Sequence, residues 1–193
     1  MVDLVEFHGR ALTDLDAAIE SIGEEDWPRA TACEGWSVRD LVGHLTAEAL
    51  WAPHLLRGET LDEVGDRYDS DVLGADPQAA WREASAAERA AVVAPGALDG
   101  TVHTTMGELP AALYLTQRLT DLVVHRWDLA WGLGLGRALP EDIAEYLYRA
   151  LKPQADELAA SGMFAPPVEV PADATPADRL LGLLGRRPEL ADP

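Results

Sequence analysis

Cysteine and positive charge are both scarce in this chain. Its 193 residues include one cysteine, Cys33, which excludes an internal disulfide framework and any zinc site built from several thiolates. Lysine also occurs once, at Lys152, and with the arginines it makes 15 basic residues against 34 acidic ones, a formal net charge of -19. So acidic a surface repels phosphate backbones and anionic lipid, so neither nucleic acid nor a membrane is expected as a partner. Long apolar runs are missing too. None approaches the roughly 20 residues of a spanning helix, and no charged-then-apolar leader follows Met1, so the expectation is a soluble, cytoplasmic protein. There is no internal repeat, no Ser-His-Asp arrangement, no phosphate-binding glycine loop and no dinucleotide fingerprint. "GLGLG" at 132–136 follows a helical pattern instead of a strand and reads as a terminator and linker.

What is present is helical periodicity. The length suits one domain over 1–193. Asp3 and Glu6 have capping-box spacing, and Leu4, Ala11, Leu15, Ala18 and Ile22 share a stripe, so a first helix is expected over about 4–22, with His8 on the same stripe. Ser37 and Asp40 open a second helix at Val38, which Pro53 is expected to kink or end near Ala52. Residues 58–76 read as a polar loop with one short helical turn. Pro77 suits the first position of a third helix reaching about Ala94. Residues 95–110 form a connector with a short extended piece, and a fourth helix begins at 111 and stops at the glycines from Gly132. A fifth, over 140–161, is interrupted at Pro153; a Pro-rich tail over 165–193 carries a short helix near 177–184. The fold class expected is all-α, a four-helix bundle with additional short helices and an extended C-terminal tail.

Two helices carry polar groups where a bundle expects apolar ones. On the second, His44 lies on the stripe of Leu41, Leu45 and Trp51, with Glu48 beside it, and a buried imidazole needs a partner. On the fourth, Gln117, Arg118, Asp121, His125 and Asp128 form a narrow strip on an otherwise apolar helix. Asp121 and His125 are spaced either as a solvent-facing i,i+4 pair or as two ligands. With His44 they make two imidazoles and a carboxylate, a donor set for a divalent metal with a position left open. Asp128, one turn on, is a candidate acceptor for an imidazole N–H or else a solvated carboxylate; Arg118 is a candidate anchor for a substrate carboxylate or else pairs with Asp121 or Asp128. The other histidines carry weaker signals: His8 reads as a core-edge residue bonded to a backbone carbonyl, His54 as a surface residue or one lining a cleft mouth, and His103 as a connector residue, placed either apart from the site or approaching it from its loop. Cys33, with no base in sequence reach, reads as a packed thiol, and Trp36, Trp51 and Trp127 as bundle packing, one of them a possible pocket wall.

"WPRATACEGWSVRDLVGHL" followed later by "LTDLVVHRWDLAWGLG" resembles the DinB-like metal-binding bundles, and more closely the N-terminal domain family of mycothiol-dependent maleylpyruvate isomerase. The closing "FAPPVEVPADATPADRLLGLLGRRP" is similar to the ending of a short, single-domain branch of that family. The resemblance implies a four-helix bundle holding a divalent metal, zinc in the isomerase with nickel or iron as alternatives, through His44, Asp121 and His125. It implies mycothiol as the thiol cosubstrate, a small-molecule electrophile and, in some relatives, a homodimer. The isomerase has glutamate where Asp121 stands, a methylene longer, and carries a further C-terminal domain for which this chain has no room. The expected function is a metal- and thiol-dependent transferase or isomerase in which a metal-bound thiolate attacks a small electrophile. The alternatives are a metal-hydroxide hydrolase and a non-catalytic metal- or ligand-binding bundle.

Overall fold

A computed structural model describes residues 3–162 and 164–189; the parts of the expected domain and tail at 1, 2, 163 and 190–193 lie outside the described residues. Asp3 opens α1 (Leu4–Glu20), its side chain accepting the N–H groups of Val5 and Glu6 at 3.1 Å each. The helix stops two residues before the expected end, although Ile22 stays buried. A complete capping box of Ser37 and Asp40 starts α2 (Val38–Leu56).

That helix continues past Pro53 to Leu56, so it does not end at Ala52. An interior proline costs about 3 kcal/mol. Against it, Ala52 and Leu55 bury into an apolar cluster with Val102, Ala111 and Tyr114, and burying one leucine side chain returns about 1.5–3 kcal/mol. The last turn is further tied by His54, whose Nδ1 lies 2.7 Å from Glu59 and whose Nε2 lies 2.9 Å from the Tyr68 hydroxyl. Burial and these bonds outweigh the proline.

The turn α3 (Leu61–Val64) falls in the polar loop, and α4 (Pro77–Val92) begins with Pro77 in its first turn behind an Asp76 cap. The connector is more ordered than expected, an antiparallel hairpin of β1 (Thr101–Thr104) and β2 (Gly107–Pro110) with Val102 opposite Leu109. It leads directly into α5 (Ala111–Leu133), which closes on Gly134 in the left-handed conformation, φ 67°. α1 packs on α4 and α5, and α2 packs on the same two helices, so α1, α2, α4 and α5 form the four-helix bundle. α2 and α5 run in opposite directions, since the Ala52 end of α2 meets Ala111 and Tyr114 while His44 meets Asp121.

The helix stops within the expected run of glycines, and Gly132 is a buried residue of its last turn. A Cβ there would lie 2.6 Å from the Ala30 carbonyl oxygen, so only glycine lets the 30–36 loop lie flat against α5. Gly132→Ala is expected to push that loop outward and cost about 1–3 kcal/mol, the usual penalty of overpacking, read as a lowered urea midpoint.

The chain divides into two compact units, Met1–Leu135 and Gly136–Pro193. In the second, α6 (Glu141–Leu151) passes at Pro153 into a 3₁₀ turn (Lys152–Gln154) and α7 (Ala155–Ser161), and α8 (Pro176–Leu183) packs on α6. The proline interruption falls where the sequence placed it. The fold class is all-α apart from the hairpin, and among the described residues no helix is long and apolar enough to cross a membrane.

Candidate metal centre

α2 and α5 face each other with His44 opposite Asp121 and His125. Asp121 Oδ1 lies 3.2 Å from His44 Nε2 and 3.2 Å from His125 Nε2, and the two rings stand nearly perpendicular, with centroids 5.1 Å apart. Two donors bound to zinc at about 2.0–2.1 Å with tetrahedral angles stand about 3.3 Å apart, so these spacings match the edges of such a site. The donor set of two imidazoles and one carboxylate fits zinc, and leaves a fourth position for an exogenous ligand. Among the described residues this is one of two groups whose donor atoms all lie within 4.8 Å of one another.

His125 makes the case for a cation at its Nε2. Its Nδ1 lies 2.8 Å from Asp128 Oδ2 and its Nε2 lies 3.2 Å from Asp121 Oδ1. A neutral imidazole has one N–H, so facing two carboxylates it needs a second proton or a metal ion between Nε2 and Asp121. Without a metal the second proton fills that role. Burial would lower the His125 pKa, but the charge and hydrogen bond of Asp121, with the bonds to Asp128 and Cys33, hold it well above the ordinary histidine value. Asp121 shows the converse: burial would raise its pKa, yet His125, the His44 bond and Arg118 keep it well below the usual carboxylate range.

Asp128 is fully buried and not solvated. Besides His125 it accepts from the Cys33 thiol at 3.1 Å, with the sulfur 3.6 Å from His125 Nδ1. Cys33 therefore sits against a carboxylate and an imidazole, where the sequence showed neither; Cys33, His125 and Asp128 are the second group of clustered donors. Residues 31–36 reach α5 because of the close approach at Gly132, and the Ala32 N–H bonds the Asp128 carbonyl at 3.4 Å. The same loop delivers Trp36, 36 % exposed, whose ring lies 5.2 Å from that of His44 and 6.2 Å, stacked, from that of His125. Of the three tryptophans considered, Trp36 is the one that walls this site.

Arg118 pairs with Asp121, the second of the two readings given for it. It is buried, with Nη1 2.6 Å from Asp121 Oδ2 and its other nitrogens on Glu88. His8 bonds Glu88 at 2.9 Å, not the backbone carbonyl expected of it. Glu88 was not read from the sequence at all, since a glutamate in an alanine-rich helix looks like an exposed helix former. His54 ties the end of α2 to Glu59 and Tyr68, and His103 lies 3.5 Å from Glu108 across the hairpin; neither belongs to the two donor groups.

Comparison with known proteins agrees with this architecture. Uncharacterized proteins from two strains of Mycobacterium tuberculosis are 28% identical over 191 residues, covering 96% of this chain and 98% of theirs. Crystal structures of the mycothiol-dependent maleylpyruvate isomerase share the fold: a point mutant superposes with a TM-score of 0.62 at 18% identity, over 83% of this chain and 73% of its own. A second structure of that isomerase gives 0.56 at 19% identity, over 82% of this chain and 70% of its own. The model of the mycothiol maleylpyruvate isomerase N-terminal domain matches residues 8–130, a span holding all of α2, α4 and the donor residues, and the chain belongs to that family.

Proposed function

We propose that the protein is a divalent-metal-dependent enzyme that uses mycothiol as a nucleophile toward a small electrophile, as a transferase or isomerase. The observation that carries this reading is the triangle of donors, Asp121 Oδ1 at 3.2 Å from Nε2 of both His44 and His125, in a chain of this family. His44, Asp121 and His125 would hold the cation, zinc before nickel or iron. When bound, such a cation stabilises a thiolate at neutral pH and orients its sulfur.

The chain's own residues keep the site in order. Asp128 accepts the Nδ1–H of His125 and so commits Nε2 to the cation. Trp36 offers a half-exposed aromatic face beside both imidazoles, a surface on which a flat, conjugated electrophile lies at little desolvation cost. In a transfer, the sulfur electron pair forms a C–S bond as a leaving group departs or as the neighbouring carbon takes up a proton. In an isomerisation, the C–S bond forms at one carbon of a conjugated double bond and the π pair moves onto the carbonyl. Rotation about the resulting single bond follows, and loss of the thiolate restores the double bond.

Zinc-loaded protein is expected to accelerate consumption of mycothiol by an electrophile such as chlorodinitrobenzene or monochlorobimane, and a chelator should remove that activity. No thiol consumption, together with no mycothiol binding by calorimetry, would contradict the proposal.

A further inference from the structure

Asp121 is the outer arm of a charge network that crosses three helices. Glu88 on α4 takes Arg118 edge-on, Oε1 to Nε and Oε2 to Nη2, each at 3.0 Å. His8 on α1 bonds Glu88 Oε1 at 2.9 Å, and Arg118 Nη1 bonds Asp121 Oδ2 at 2.6 Å. The side chains of His8, Glu88 and Arg118 are 1%, 0% and 2% exposed, and none of the three supplies a donor atom to the candidate cation site. A buried ion pair stabilises a fold no better than apolar residues of matched volume. Stability alone is therefore a weak reason for the bundle to keep this one.

The geometry supplies a better reason. A guanidinium is a rigid planar fork, so docking Nε and Nη2 on Glu88 fixes the direction of Nη1. A carboxylate otherwise turns broadly about its last torsion. Nη1 on Oδ2 arrests that rotation and leaves Oδ1 as the oxygen facing both imidazoles.

We propose that Arg118, held from behind by Glu88 and His8, positions Asp121 so that it meets the cation through Oδ1 alone, and that this clamp sets the affinity of the site. The inference rests on the proposed metal centre and concerns how one of its ligands is held. Arg118 and Glu88 are positioning residues. A lysine at 118 would keep the charge and lose the fork.

Cobalt(II) is the probe, because its absorption bands report donor geometry and chelator competition gives its affinity. Arg118→Lys, with its fold checked by circular dichroism, is expected to bind cobalt about 10–100-fold more weakly, the usual effect of losing a group that orients a ligand, and with a shifted spectrum. The double variant Glu88→Leu with Arg118→Met removes both buried charges together, so it serves if the single variant does not fold, and the same weakening is expected. Parent-like affinity and spectrum in either folded variant overturns the clamp while leaving the metal centre intact. X-ray absorption on the zinc-loaded parent needs no variant: one carboxylate oxygen at bonding distance is expected, and two overturn the proposal. A parent that takes up neither metal defeats the metal centre, and the clamp with it.

Discussion

Replacing His125 by alanine is expected to cost the metal-free protein about 3–5 kcal/mol, the penalty of removing one partner from a buried ionic contact, and to abolish tight zinc binding. The imidazolium lies between Asp121 and Asp128, and without it two carboxylates face one another across the space it filled. The pH dependence has a definite sign. The folded His125 pKa is raised, so its contribution is complete below the ordinary histidine value of about 6.5 and is lost as pH rises through the higher folded value. Urea unfolding of the metal-free proteins from neutral to alkaline pH should show the parent weakening and His125→Ala changing less. Parallel curves would mean that the ring carries no second proton. Zinc competition on the same samples reads the second half of the prediction.

A loss of similar size is expected for Glu88→Gln, for a different reason. Burial alone would raise the Glu88 pKa, but the charge of Arg118, the His8 bond and the Arg118 bonds bring it down to about 2. Against an unfolded value of about 4.5, a depression of that size is worth about 3 kcal/mol. A depressed carboxylate contributes fully above its unfolded pKa and loses that contribution as pH falls through the folded one. The parent should therefore hold its stability down to about pH 4.5 and lose this part of it between there and about pH 2. Glu88→Gln leaves the buried Arg118 facing an amide, so it should be less stable at neutral pH and show a flatter acid limb. A neutral-pH stability equal to that of the parent would show the pair to be inessential.

The helices were legible wherever local chemistry decides them. Ser37 with Asp40, Pro77, and the run of glycines from Gly132 are short-range signals, and the elements begin or end at them. What carries α2 past Pro53 and what requires glycine at 132 lie far off in sequence: Val102 and Tyr114 make burial outweigh the proline, and the Ala30 carbonyl leaves no room for a Cβ. The candidate site divides the same way. The one-turn spacing of Asp121 and His125 is visible along a single helix, and His44 stands out as a polar residue on an apolar stripe. Their meeting depends on how α2 and α5 face each other, which periodicity does not encode. Cys33 against Asp128, 95 residues apart, and His8 against Glu88, 80 apart, left no local trace at all. Spacing offered the three donors as candidates, and family resemblance implied that they meet, because it carries tertiary information that the spacing of a single sequence lacks.

The most direct test of the account is elemental analysis of the protein purified without a metal-affinity tag, beside His44→Ala prepared in the same way. About one equivalent of a divalent metal in the parent, zinc before nickel or iron, and a large loss in the variant are predicted for a site closed by His44, Asp121 and His125. Equal metal in the two proteins, or none in the parent, would contradict it.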